Sequence, residues 1–181
     1  KGTMTNQSLG IILAGGGSRR MGQDKTSLML DGRPMIEHMV ALLEQIGVSE
    51  IIVSGDVPGY RYATDDTPGN GPARAIMDII NNHPGFQRYL AMPVDMPLFP
   101  IALGQMLLKS ARSGYFEASI LPICLHGPAH TGEVVTMREL GALYGAEALP
   151  TPLDLPPHSF LNINTPEEYE IAARAFAGQV S

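Results

Sequence analysis

The chain has 181 residues, with 12 Lys and Arg against 18 Asp and Glu, a net charge of −6, 44% hydrophobic and 17% charged residues. That length suits one domain with a sizeable core, and the composition is that of an ordinary globular protein rather than a disordered one. An acidic chain excludes a general affinity for nucleic acid, which runs on excess Lys and Arg, and no apolar run approaches the roughly 20 residues of a membrane span, so neither nucleic acid nor a membrane is an expected partner.

The N-terminus lacks the basic-then-apolar pattern of a signal peptide. Lys1 to Thr3, ahead of Met4, have the look of vector residues, which leaves residues 4–181 as a single domain. The one cysteine, Cys124, cannot form an internal disulfide. This suits a cytoplasmic location, and the apolar run around it predicts that it packs as a small hydrophobe.

In chain order, "LGIILA" (residues 9–14) is a continuous apolar run, the pattern of a strand buried on both faces. "RPMIEHMVALLEQIG" reads as a helix starting at Pro34, with Ile36, Met39, Val40 and Leu43 as its apolar face and Gly47 as its stop. "EIIVSG" (residues 50–55) is a second strand. "GPARAIMDIINN" is a helix with Ala75, Ile76, Ile79 and Ile80 on its apolar side. "YLAMPVDMP" (residues 89–97) is a third strand ending in Asp95, and "IALGQMLLKSARSG" is a helix closing at Gly114.

"EASILPICL" reads as a further strand, and "TMRELGALYG" as a helix ending near Gly145. "LPTPLDLPPH" (residues 149–158), with four prolines, is an extended surface segment. "SFLNIN" is a last short strand. In "TPEEYEIAARAFAG", Thr165 is the N-cap, Pro166 the first helical residue, Glu168 the partner in a capping box, and Gly178 the stop. Alternating strands and helices imply an α/β fold, a mostly parallel sheet between layers of helices, with ligands bound outside the carboxyl ends of the strands.

Between the first strand and the first helix stands "LAGGGSRRMGQDK" (residues 13–25), the one tight cluster of positive charge in the chain. Glycines after a buried strand let the backbone turn sharply and bring its N–H groups close to an anion. Arg20 and Lys25 add charge-assisted hydrogen bonds to phosphate oxygens. The loop is therefore a candidate polyphosphate cradle, its alternative being an irregular turn with solvated arginines. It is not a P-loop, because Gln23 and Asp24 intervene between Gly22 and Lys25-Thr26. It is not a dinucleotide fingerprint either, because Arg20 stands where the third glycine is required.

A carboxylate at the end of a buried strand, flanked by prolines, suits the one or two protein carboxylates that Mg²⁺ on nucleotide phosphates takes. Asp95 is that residue, and its alternative is a turn or helix-start aspartate. Asn164 is the second metal candidate, with an Asx turn into Thr165-Pro166 as its alternative.

"LAGGGSRRMGQDK" resembles the signature L-A-G-G-x-S-x-R-M-G-x-D-K of nucleotidyltransferases related to the molybdenum cofactor guanylyltransferase MobA, and all its specified positions are matched. "GPARAIM", "PVDMPLFP" and "LNINTPEEYE" resemble further blocks of that family in the same order. The resemblance implies a three-layer α/β/α sandwich with a Rossmann-like sheet, of the nucleotide-diphospho-sugar transferase type. It implies transfer of GMP from GTP to the phosphate of molybdopterin or molybdenum cofactor, with Mg²⁺ as cofactor and release of pyrophosphate. Other molybdenum cofactor proteins are implied as partners, with the chain a monomer or a weak homo-oligomer.

On this resemblance Arg20, Lys25 and Asp95 are the catalytic residues. Nucleotide would be held by Leu13, Ala14, Gly15, Gly16, Gly17, Lys25 and Gly71, with Asp95 on the metal. Guanine would be read by Ser54 and Asp65, with Asp66 the alternative to Asp65. Asn162 and Asn164 fall on the acceptor side, and Arg74 is placed to contact an acceptor phosphate. Two departures from the family pattern stand out: Ser54 replaces a frequent Asn, and the stretch "HGPAHTGEVV" is shorter than its family counterpart. A CTP-dependent or sugar-phosphate transferase of the same fold, or an inactive nucleotide-binding partner protein, are the rival readings.

Overall fold

Strand β1 (Ser8–Leu13) is buried along its whole length, as its continuous apolar sequence requires, and the sheet is assembled around it. The computed structural model describes residues 7–15, 24–63 and 70–178. The remaining strands are β2 (Met29–Leu30), β3 (Arg33–Pro34), β4 (Glu50–Ser54), β5 (Tyr62–Ala63), β6 (Arg88–Pro93), β7 (Gly114–Phe116), β8 (Ser119–His126) and β9 (Glu147–Leu149). The helices are α1 (Met35–Ile46), α2 (Gly71–Asn82), α3 (Ile101–Lys109), α4 (Met137–Leu143) and α5 (Pro166–Gly178).

Seven strands form one sheet in the order β5-β4-β1-β6-β8-β7-β9, and β2 and β3 make a small antiparallel hairpin. β1 runs parallel to β4 and β6, and β5 parallel to β4. Only β8 is reversed, antiparallel to both β6 and β7. The expected mostly parallel sheet is present, and the reversed β8 carries its own first residues to the carboxyl ends of β1 and β6.

Alternation along the strands divides the core between two faces. Ile12, Val53, Leu90, Met92 and Cys124 face the layer containing α1, α3 and α5. Leu9, Ile11, Leu13, Ile52, Tyr89 and Ala91 face α2 and α4. This is the three-layer α/β/α arrangement. On α1, Met35, Met39, Leu42, Leu43 and Ile46 recur at helical spacing on the buried side, and Gly47 ends the helix in the left-handed region at φ 101°.

Three boundaries differ from the sequence pattern. Pro34 caps α1 rather than entering it, because its extended backbone is paired with Met29 in the β2–β3 hairpin. Helix α3 stops at Lys109, where the Ser110 N–H closes onto Met106 and Leu107 carbonyls. Gly114, read as the end of that helix, is instead the first residue of β7, where a Cβ would come 3.2 Å from the Glu147 carbonyl oxygen. "SFLNIN" is no strand. Residues 161–164 lie beyond the end of β6, tied by one bond from Ile163 N–H to the Asp95 carbonyl (2.8 Å), so no ladder can form. β6 itself ends at Pro93, two residues before Asp95.

Two outcomes test this packing. A Cβ on Gly104 would sit 2.2 Å from Ile46 Cδ1 and 2.6 Å from Cγ1, so α1 and α3 must separate or buried Ile46 must leave its rotamer. Gly104→Ala therefore lowers stability by about 1–3 kcal/mol in urea melts, outweighing the roughly 1 kcal/mol helix-propensity gain. Burial pushes the Cys124 thiol up to about 12, so iodoacetamide at pH 8 leaves the native protein unlabelled and labels it in denaturant.

Candidate active site

The site is assembled where the parallel strands end. Beyond the sheet the ladder continues through single backbone bonds: Val94 N–H donates to the Leu13 carbonyl (3.1 Å), and Ala14 N–H to the Ser54 carbonyl (3.1 Å). The Ile163 bond to Asp95 adds a third segment. Buried Ile163 anchors that segment in the core, while Asn162 and Asn164 on either side of it face a common cavity.

Lys25 opens a short 3-10 turn (Lys25–Ser27). The Asp24 carboxylate caps this turn by accepting from Thr26 N–H at 3.0 Å. The lysine side chain is thereby directed at the end of β6. Its Nζ is ion-paired with Asp95 Oδ2 and donates to Asn164 Oδ1 at 2.7 Å. Lys25 and Asp95 are each only 9% exposed. Asn164 is positioned by the capping box of α5: Glu168 Oε2 accepts from the Asn164 N–H (2.6 Å) and the Thr165 N–H (2.9 Å), and Glu168 N–H donates to Thr165 Oγ1 (3.2 Å). The Tyr169 hydroxyl, one turn on, donates to the Met29 carbonyl (2.8 Å), which braces α5 against the hairpin that follows the Lys25 turn.

These side chains form one wall of a cavity of about 470 Å³. Leu13, Ala14 and Gly15 supply its floor, and Pro72 at the start of α2 lies beside them. The first turn of α2 holds no acidic residue, so the positive end of its dipole is free to favour an anion there. A further stretch of wall is Ser119, Ile120 and Leu121, from the start of β8, together with Pro93 and Val94. The sequence carries no sign of that wall. It follows from the reversal of β8, which delivers its first residues to the carboxyl side of the sheet.

Of the residues singled out from sequence, Leu13, Ala14, Gly15, Lys25, Asp95, Asn162 and Asn164 meet at this cavity. Asn162 Oδ1 is buried on the wall without a hydrogen-bond partner among the described residues. Ser54 is buried at the end of β4, and its main chain touches the Gly15 loop. Gly71 begins α2 at φ 82°. Arg74 does not join the cluster: it is ion-paired with Asp78 one turn along α2, Nε to Oδ1 3.0 Å, and does not line the cavity. Gly16, Gly17, Arg20, Asp65 and Asp66 lie outside the described residues.

The chemistry on offer is anion binding beside a hard-oxygen donor pair. The carboxylate of Asp95 and the amide oxygen of Asn164 fit the donor preference of Mg²⁺, which fills its remaining positions with water and phosphate oxygens. No group of three or more His, Cys, Asp or Glu side chains able to hold a metal occurs among the described residues.

The chain matches the MobA-like NTP transferase domain family over residues 10–140. It is 37% identical over 179 residues to the molybdenum cofactor guanylyltransferase of Xanthomonas euvesicatoria pv. vesicatoria, covering 92% of this chain and 95% of that protein. Its fold is similar to a nucleotidyl transferase from Methanothermobacter thermautotroptrophicus, with TM-score 0.74, 17% identity, and coverage of 97% of this chain and 100% of the other. It is also similar to molybdopterin-guanine dinucleotide biosynthesis protein A from Archaeoglobus fulgidus, with TM-score 0.69, 17% identity, and coverage of 94% and 99%.

Gly15 separates binding from folding. A Cβ there meets nothing closer than the Ser54 carbonyl at 3.5 Å, an ordinary contact, but it stands on the cavity floor where a phosphate would approach. Gly15→Ala is expected to keep its melting temperature while losing about tenfold or more in nucleoside triphosphate affinity by calorimetry. Gly55 provides the contrast. At φ 112°, with a Cβ 3.4 Å from Gly15 N, Gly55→Ala loses about 1 kcal/mol or more of stability as well.

Proposed function

The chain belongs to the MobA-like NTP transferase family, and we propose that, as one nucleotidyltransferase domain, it is a molybdenum cofactor guanylyltransferase. It moves GMP from GTP onto the phosphate of molybdopterin or its molybdenum form. The observation that carries this reading is the meeting of Lys25, Asp95 and Asn164 at the head of the cavity, beside the backbone of Ala14 and Gly15. The name and near full-length match of the Xanthomonas relative support the choice of substrates.

In this reading the N–H groups of Gly15, Gly16 and Gly17 hold the triphosphate together with Arg20 and Lys25, while the Ala14 N–H is engaged by the Ser54 carbonyl and fixes the start of the loop. An acceptor phosphate oxygen attacks the α-phosphorus in line. A new P–O bond forms as the bond to the β-phosphate oxygen breaks, and pyrophosphate leaves with that electron pair. Such a reaction depends on positioning and charge neutralisation, and it needs no strong general base because the acceptor phosphate is already ionised at neutral pH.

Mg²⁺, when bound, neutralises charge that develops on the phosphate oxygens. Asp95, with Asn164, would hold it. Ser54 and Asp65 would face the guanine, whose N1–H and N2–H groups suit a carboxylate acceptor. Asn162, with its unpartnered amide oxygen, would meet the acceptor in the cavity that Ser119, Ile120 and Leu121 also line.

Calorimetry with GTP, CTP, ATP and UTP in the presence of Mg²⁺ tests the reading, with pyrophosphate release on adding molybdopterin as the second stage. The expected result is selective GTP binding that falls about tenfold or more in Asp95→Ala, and pyrophosphate release that Lys25→Ala reduces about a hundredfold or more with little change in melting temperature. Preference for CTP would move the protein to a cytidylyl branch of the fold. GTP binding without pyrophosphate release would mark an inactive nucleotide-binding relative.

A further inference from the structure

We propose that, in the nucleotide-free protein, the Lys25 ammonium stands in for the divalent cation, so that the protein has no standing metal site and admits its metal only together with a triphosphate. This rests on the reading of Asp95 and Asn164 as the metal-holding residues. Asp95 Oδ2 and Asn164 Oδ1, oxygens of the two side chains that would hold the metal, both accept from Lys25 Nζ. A metal ion drawing on both of these oxygens would have to displace the protonated lysine from them.

Each member of the cluster is held from behind. The Asp24-capped turn fixes the start of the Lys25 side chain, Ile163 N–H binds the Asp95 carbonyl, and Glu168 binds the Asn164 N–H. The main chain behind all three side chains is therefore held in place while the ammonium occupies the donor pair. Lys25 and Asp95 are both 9% exposed, where charges are only partly screened. Among the described residues Asp95 is the ion-pair partner of Lys25.

A bare divalent cation entering this site would take that counter-ion from Lys25 and leave the ammonium next to a dication. A cation arriving on a triphosphate brings phosphate oxygens that accept the ammonium in exchange, and the flexible four-carbon stem of lysine lets it make the move. Lys25 then serves two successive partners: the Asp95 carboxylate before nucleotide binds, and phosphate afterwards. The consequence is selectivity for the metal–nucleotide complex over either free metal or a metal left behind after turnover.

The test is Mn²⁺ binding to the full chain without nucleotide, read by the loss of the free-ion EPR signal. Lys25→Met, which keeps the stem and removes the charge, is expected to bind Mn²⁺ about tenfold or more tighter than the wild type. The gain should disappear when Asp95→Asn is added, and Lys25→Arg, which keeps the charge, should show none. Equal Mn²⁺ affinity in Lys25→Met and wild type overturns the proposal. The wild type also decides without that variant: Asp95-dependent Mn²⁺ binding as tight in the absence of GTP as in its presence overturns it. Failure of GTP to bind at all, with Mn²⁺ present, overturns the guanylyltransferase reading instead, and the comparison of the Lys25 variants remains decisive for the lysine.

Discussion

The site depends on three backbone hydrogen bonds that carry the sheet past its own strands. Val94 to Leu13, Ala14 to Ser54 and Ile163 to Asp95 each satisfy main-chain groups that would otherwise lose their partners where regular pairing ends. Their side effect is functional. They clamp four segments against one another and hold the main chain at Asp95 and beside Asn164, where the Asp24-capped turn brings Lys25 within hydrogen-bond distance. Gly55 is needed at this junction, where its backbone is at φ 112° and a Cβ would come 3.4 Å from Gly15 N.

Residues that resemble chemistry divide into those that face the cavity and those that hold such residues still. Asp24 lies beside Lys25 in the glycine-rich signature, yet its carboxylate is engaged by the backbone of the following turn. Glu168 is as acidic as Asp95, yet it accepts from the main chain of Asn164 and Thr165. Both act through the geometry they impose on a neighbour. A chain of net charge −6 still brings a lysine, glycine backbone and the N-terminal turn of α2 to one cavity, a local arrangement that favours an anion.

The cavity has two characters. Part of its lining is polar, with Lys25, Asp95, Asn162 and Asn164, and part is apolar, with Ile120, Leu121, Pro93 and Val94. This combination suits a ligand with a charged group and a ring system, as each substrate of the proposed transfer has. The reversed β8 supplies Ile120 and Leu121 to the apolar part, so one change of strand direction in an otherwise parallel arrangement decides part of the cavity lining.

By itself the sequence determined the alternation of strands and helices, the capping box at Thr165 and Glu168 and the burial of β1, and it singled out Lys25 and Asp95 as candidate site residues. Each of these is a local matter: side-chain period, a three-residue capping interval, or a glycine-rich turn after an apolar run. The tertiary structure alone decided that Pro34 belongs to a hairpin, that Gly114 packs in a strand, and that "LNIN" lies across the end of β6 instead of pairing with a neighbour. It alone brought Ser119, Ile120 and Leu121 to the cavity. The physical reason is the same throughout. A residue's hydrogen-bond partners within about four positions can be read from spacing, whereas partners 70 and 139 residues away, as Lys25 has, exist only once the sheet has set which strand ends meet.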